Sequence, residues 1–258
     1  MLGSPIAHSL SPTLHRAAYA WLGLRWSYTA VEVTEPELAA FVDSLDESWR
    51  GLSLTMPLKR VAVEVATDVA ELVGTVGVAN TLVLDGERRT AHNTDVGGMR
   101  SAMAAAGLGR VERATVIGGG ATAATAVAAV AGLADSVVAC VRSPRRASAL
   151  AAVAERVGVT LHVAGWGETP AHLGAPLVVS TTPVGSTDAM AGSVPVGPGL
   201  LFDVVYDPWP TRLAAEWSAA GGAVLGGLDL LVHQAVGQVE LMTGRSVPVS
   251  VLRDAVAG

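Results

Sequence analysis

The sequence predicts an α/β protein of two domains with a cleft between them: an N-terminal α/β domain over residues 1–95 and a doubly wound domain over residues 96–228. Three observations carry this. Short segments of β-branched and apolar residues alternate with helical segments, the pattern of a parallel sheet with crossover helices. One such segment runs from Val116-Ile117 straight into Gly118-Gly119-Gly120 and then into an alanine-rich helical stretch. Earlier, Asp85-Gly86 separates two strand-like runs, which marks a β-hairpin.

Taken in order, the first domain holds a helix over residues 13–22, a strand over 27–33, a helix over 35–45 and a strand over 51–55. The hairpin follows, with strands over 81–85 and 88–92. The second domain opens with a helix over 97–106. It continues with strand 114–117, helix 122–133, strand 136–141 and helix 144–157. Further strands fall at 177–180, 200–204 and 223–225, with a helix over 211–220 before the last. That succession is a βαβ series. Helices over 228–243 and 249–255 close the chain, and this tail from about residue 229 is expected to pack back on the first domain.

Composition narrows the class. The chain has 258 residues, 50% of them hydrophobic, enough for two such domains. A net charge of −6 gives no footprint for nucleic acid or an anionic membrane. The single cysteine, Cys140, lies in an apolar run and reads as a small buried residue. Residues 114–134 carry no charge, but the triplet Gly118-Gly119-Gly120 interrupts them. A buried strand, a glycine turn and a helix account for that run better than a membrane span. No signal peptide pattern is present, so the expectation is a cytoplasmic protein. Five of the six histidines (His8, His15, His162, His172 and His233) read as structural or incidental, and no metal site is expected. Trp21, Trp26, Trp49, Trp209 and Trp217 are expected to pack cores or rims.

Gly118-Gly119-Gly120-Ala121-Thr122-Ala123 reads G-x-G-x-x-A between a strand and a helix. The first glycine makes the tight turn, the second lets backbone approach a pyrophosphate, and the small last residue lets the helix pack closely on the strand. The helix N-terminus then faces the phosphates. This is the signature of a Rossmann-type dinucleotide domain. Its second strand ends in Val141-Arg142-Ser143-Pro144-Arg145-Arg146, with no acidic residue to take a ribose 2′-hydroxyl. Three arginines and a hydroxyl suit a 2′-phosphate instead. A merely solvated basic helix start conflicts with the positive end of the helix dipole, and a bound anion removes that conflict. The cofactor read from these residues is NADP(H).

Of seventeen basic side chains, sixteen are arginine, and Lys59 is the one lysine. Arginine keeps its proton, whereas an ammonium can act as acid or base. Lys59 follows Thr55 and Pro57 after a strand end. Asn80-Thr81 opens one hairpin strand and Asn93-Thr94-Asp95 follows the other, so short polar groups gather at strand ends. Such a set suits a small polyol. Ser9 and Ser11 sit in a turn-rich loop, where Ser11 alternatively serves as a helix N-cap.

Over nearly its whole length the chain resembles the shikimate dehydrogenase family. The matching segments are 3–12, Leu54-Thr55-Met56-Pro57-Leu58-Lys59, Ala79-Asn80-Thr81, Asn93-Thr94-Asp95, 118–123, Tyr206-Asp207-Pro208 and 227–235. The resemblance implies NADP-dependent reduction of 3-dehydroshikimate to shikimate, with those small molecules as partners and a monomer or homodimer as the working form. It implies Lys59 and Asp95 as the catalytic pair. Ser9, Ser11 and Tyr206 would hold the substrate carboxylate, and Thr55, Asn80, Asp95 and Gln234 the ring hydroxyls. Gly118, Gly119, Gly120 and Ala121 would line the pyrophosphate, Arg142 and Ser143 would lie near the 2′-phosphate, and Gly227 would approach the nicotinamide; Arg146 joins the cofactor-binding set from the arginine cluster itself. Related readings are a quinate/shikimate dehydrogenase and, in another class, a non-catalytic NADP sensor. The chain departs from the family at Ser53, where Asn is usual, at Val141, at Ser180-Thr181 and at Ser186. In the family a strand runs into the glycine matching Gly3, so the natural protein is expected to start upstream of Met1.

Overall fold

In the computed structural model, which describes residues 1–256, the chain divides into two units. One comprises Met1–Gly98 with Leu231–Gly258, the other Met99–Leu230. The first begins with β1 (Leu2–Gly3), α1 (Ser11–Trp21), β2 (Val31–Glu32), a 3₁₀ turn at Glu35–Glu37 and α2 (Leu38–Asp43). Next come β3 (Gly51–Ser53), α3 (Val61–Glu64), β4 (Asp68–Val69), α4 (Glu71–Val76), β5 (Thr81–Asp85), β6 (Arg88–His92) and α5 (Asp95–Ala105). The hairpin strands β5 and β6 fall where the sequence places them and pair in register from Thr81↔His92 to Asp85↔Arg88. Together with β3 and β4 they form a four-stranded sheet in the order β3-β5-β6-β4.

The strand expected over residues 27–33 is shorter. Only Val31–Glu32 pairs, because its parallel partner β1 offers just Leu2 and Gly3. Leu2 is paired on both sides, since it also bridges Leu54 and accepts from the Thr55 N–H at 2.9 Å. The helix expected over 35–45 is split. Thr34 and Glu37 form a capping box around the 3₁₀ turn, with the Thr34 N–H donating to Glu37 Oε2 at 2.9 Å, before α2 begins.

The second unit runs β7 (Val111–Ile117), α6 (Ala121–Val130), β8 (Ala134–Val141), α7 (Pro144–Val157), β9 (Thr160–Gly165) and a 3₁₀ segment at Trp166–His172. It continues with β10 (Leu177–Ser180), β11 (Leu200–Asp203), α8 (Arg212–Ala219) and β12 (Ala223–Leu225). All six strands are parallel, in the order β12-β11-β10-β7-β8-β9. Strand order reverses beside β7, which creates the switch point where such sheets take ligands. The uncharged run over 114–134 is thus the end of β7, the glycine turn and α6. Helix α6 stops three residues before its expected end: Gly132 turns to φ +83°, and Arg100 donates to the carbonyls of Ala128, Ala129 and Ala131. Strand β9 was not expected. Its residues are mostly exposed, as on a sheet edge, so no apolar run marks it.

The chain ends with α9 (Gly227–Thr243) and α10 (Val249–Asp254). In the first unit, Val232, Ala235 and Val239 of α9 and Leu252 of α10 pack with Leu14, Tyr19 and Tyr28 in one buried cluster. A second cluster gathers Leu2, Leu52, Leu54, Leu58, Leu82 and Ala91 around the sheet. No helix among the described residues is long and apolar enough to cross a membrane.

Candidate active site

Lys59 and Asp95 meet. Lys59 follows β3 on a loop whose backbone is tied down where Ala79 N–H donates to the Lys59 carbonyl at 2.8 Å. Asp95 is the first residue of α5, where the positive end of the helix dipole favours a carboxylate. Lys59 Nζ donates to Asp95 Oδ2 at 2.6 Å. Side-chain exposure is 14% for Lys59 and 6% for Asp95, so the pair is largely withdrawn from water. The other carboxylate oxygen, Oδ1, accepts from Asn80 Nδ2 at 2.9 Å. Asn80 is itself clamped, since its Oδ1 accepts from the Thr94 N–H at 2.9 Å and its backbone carbonyl from the Leu54 N–H at 2.8 Å. Gln234 of α9 places Oε1 3.2 Å from the same Asn80 amide. It reaches there because α9 and α5 approach closely at Gly98, where an added Cβ would lie 2.8 Å from the Gln234 backbone nitrogen.

Behind this group runs a buried polar chain that sequence reasoning missed. Gln238, one helical turn after Gln234, donates to the Asn80 carbonyl at 3.0 Å and to Thr81 Oγ1 at 2.9 Å. Its own carbonyl accepts from Ser53 Oγ at 2.8 Å, and Ser53 accepts from the Tyr28 hydroxyl at 2.6 Å. Burial pushes the Tyr28 phenol above its ordinary range, so it stays a donor. Ser53, one of the departures from the family pattern, therefore spends its hydroxyl inside the fold. The signal was available: two glutamines four apart on a mostly apolar helix share one face.

The remaining expected residues of this unit are placed less tightly. Thr55 is half-buried and its side chain forms no hydrogen bond among the described residues. Ser11 is not an N-cap. It is the first residue of α1, and Ser9 Oγ accepts its N–H at 3.3 Å. His15 Nδ1 lies 3.0 Å from the Ser11 carbonyl, and its ring stacks on Tyr28 with centroids 4.1 Å apart.

In the second unit the glycine turn sits at the carboxyl end of β7. Gly118 adopts φ +120°, which L side chains rarely adopt, and Gly120 is the exposed N-cap of the ten-residue α6. A Cβ on Gly119 would stand 2.7 Å from Arg146 Cβ, so only glycine leaves room between turn and arginine. Ala121 opens the helix and Ala123 is fully buried beneath it, as close helix–sheet packing requires. Arg142 leaves the end of β8 and is exposed, as are Arg145 and Arg146. None of the three is ion-paired among the described residues. Ser143 is the N-cap of α7, yet its hydroxyl makes no cap bond. Three cations without an ion pair, a hydroxyl without a cap bond, a bare helix start and a side-chain-free turn fit a phosphorylated dinucleotide, NADP, at this edge.

Tyr206 and Gly227 also lie in this unit. Tyr206 is half-buried, and burial, helped by Asp207, raises its phenol, which keeps it protonated. Gly227 is buried at the start of α9, where a Cβ would collide with the Val204 carbonyl oxygen. The protein's own backbone thus demands glycine there. Two buried groups bracket the Tyr206 loop, Asp203 at the end of β11 and Thr211 at the N-cap of α8: Thr211 Oγ1 donates to Asp203 Oδ2 at 2.7 Å, and burial raises the Asp203 carboxyl.

Among the described residues no group of three or more His, Cys, Asp or Glu is placed to hold a metal. Comparison with known proteins shows what the chain is similar to. Residues 1–82 match the shikimate dehydrogenase substrate binding domain, and residues 227–257 the shikimate 5′-dehydrogenase C-terminal domain. A shikimate dehydrogenase (NADP(+)) of Oleidesulfovibrio alaskensis is 33% identical, over 100% of this chain and 93% of that protein. The crystal structure of Mycobacterium tuberculosis shikimate dehydrogenase superposes with a TM-score of 0.92 at 38% identity, over 99% of this chain and 98% of that one. The Thermus thermophilus enzyme, solved in complex with NADP(H) and shikimate, gives 0.85 at 33% identity, over 98% and 96%. Likeness of this extent, in sequence and in fold, settles the assignment: the chain belongs to the shikimate dehydrogenase family.

Proposed function

We propose that the chain catalyses the reversible, NADP-dependent reduction of 3-dehydroshikimate to shikimate, with Lys59 and Asp95 as its catalytic pair. The observation that carries this is the sole lysine held 2.6 Å from a buried aspartate whose other oxygen is fixed by Asn80. Relatives named shikimate dehydrogenase (NADP(+)) and a neighbour holding NADP(H) and shikimate support it.

NADPH, when bound, supplies the hydride. Lys59 gives a proton to the carbonyl oxygen as it becomes a hydroxyl, and recovers it in the reverse direction. Asp95 keeps the ammonium aimed and compensates its charge. Asn80, Gln234 and Thr55 bind ring hydroxyls, each offering a short neutral donor or acceptor. Ser9, Ser11 and the protonated Tyr206 bind the carboxylate. Gly118, Gly119, Gly120 and Ala121 take the pyrophosphate on backbone N–H groups. Arg142, Ser143 and Arg146 take the 2′-phosphate, and Gly227 admits the nicotinamide. The same reading makes this a cytoplasmic enzyme of free small molecules.

The test is steady-state kinetics on the purified protein, following reduced nicotinamide, with shikimate or quinate and NADP or NAD. Shikimate with NADP should give the highest kcat/KM. No turnover of shikimate, or equal use of both cofactors, would overturn the reading.

A further inference from the structure

One contact beside the cofactor residues lies outside the hydride and proton chemistry. The guanidinium carbon of Arg142 lies 4.2 Å from the ring centroid of Trp166. The sheet brings them together: Val141 of β8 pairs with Gly165 of β9, so the next residue of each strand leaves the carboxyl edge side by side.

Trp166 is the fixed member of the couple. The Gly165 N–H donates to Glu168 Oε2 at 2.6 Å, and Thr169 Oγ1 to the Trp166 carbonyl at 2.7 Å. Thr115 Oγ1 anchors the far end of the 3₁₀ segment at the His172 carbonyl, 2.9 Å away. The indole packs against a buried cluster that includes Ile117, Leu173 and Val178. Arg142 has no such support, being exposed and without an ion pair among the described residues. A long arginine in that condition samples many rotamers and loses them on binding a ligand.

We propose that Trp166 is a positioning residue for cofactor choice: its ring holds the Arg142 guanidinium so that the in-plane N–H fork is presented to the 2′-phosphate of NADP. Stacking engages the face of the guanidinium, whereas its donors point outward in the plane, so both contacts coexist. A phosphate takes two parallel N–H bonds from such a fork. NAD lacks that phosphate, so the benefit of holding the fork falls on NADP alone. This inference rests on the reading of Arg142 as the 2′-phosphate ligand. A plain packing role for Trp166 makes a different prediction: its loss would weaken the fold and lower activity with both cofactors alike.

The experiment measures kcat/KM with NADP and with NAD for wild type, Trp166→Leu, Trp166→Phe, Arg142→Ala and the double variant Arg142→Ala/Trp166→Leu. Trp166→Leu should lower the NADP-to-NAD ratio about three- to tenfold, through KM for NADP, with kcat and the shikimate KM unchanged. Trp166→Phe, which keeps an aromatic face, should lose about twofold and still serves if the leucine variant does not fold. In the Arg142→Ala background, removing Trp166 should change the ratio no further. If Arg142→Ala lowers the ratio and neither Trp166 variant does, the inference is wrong and the reading of Arg142 stands. Equal losses with both cofactors, or additive losses in the double variant, would also overturn it. If Arg142→Ala leaves the ratio unchanged, the reading of Arg142 fails and the inference falls with it.

Discussion

Replacing Lys59 by methionine removes the one side chain proposed to move a proton while keeping the length of its apolar stem. Two costs should appear, and they separate. Positioned proton transfer contributes about 10²- to 10⁴-fold, or about 3–5 kcal/mol of barrier, and kcat should fall by that factor. Independently, Asp95 loses its counter-charge at a site where its own side chain is only 6% exposed. Stranding a buried charge costs about 3–5 kcal/mol, an upper bound here because Asn80 still donates to Oδ1 at 2.9 Å. The double variant Lys59→Met/Asp95→Asn removes the stranded charge, so it should regain most of the lost stability and none of the activity. Urea unfolding reads the first quantity and kcat with saturating shikimate and NADP reads the second. A Lys59→Met enzyme within about threefold of wild-type kcat would refute the proton role. A double variant as unstable as the single one would refute the account of the buried pair.

Other perturbations probe the parts that hold this pair in place. Gln238→Leu takes away the acceptor of the Ser53 hydroxyl and one of the donors to Thr81 Oγ1 and to the Asn80 carbonyl, so it should cost about 1–3 kcal/mol of stability. It should also raise KM for shikimate with KM for NADP unchanged, as steady-state kinetics and urea midpoints would show. His15 titrates a different feature. Burial lowers its pKa from 6.5 to about 4, against the pull of the Ser11 carbonyl. The unfolded chain therefore binds the proton first, and stability falls as pH drops from 6.5 through 4, by roughly 3 kcal/mol. His15→Phe keeps the stack on Tyr28 and should flatten that acid limb when unfolding is measured across the same range.

Much of the fold was legible because its signals are local. The hairpin at Asp85-Gly86, helix α7 with Pro144 at its start and Gly158 after its end, and the buried strand β10 all have the expected bounds. What failed depends on partners. Residues 27–30 look like strand, but a strand exists only where another pairs with it, and β1 supplies two residues. Strand β9 has little apolar pattern because it lies at the sheet edge. At the site, Lys59, Asn80, Asp95 and Gln234 were named from motif order, and the structure brings them within hydrogen-bonding reach of one another. Tyr28, Ser53 and Gln238 come from three distant stretches, so only folding joins them into a chain. Trp166 follows the strand that was missed, and nothing in its immediate sequence points to Arg142.

The central claim is direct hydride exchange between shikimate and NADP on this chain. It is tested most directly by turning over shikimate deuterated at the carbon that bears the reacting hydroxyl and examining the cofactor by mass spectrometry. The account predicts that the deuterium appears in the reduced nicotinamide, one per turnover, and that Lys59→Met forms the same labelled product far more slowly. Deuterium released to water instead, or no reduced cofactor from shikimate at all, would contradict it.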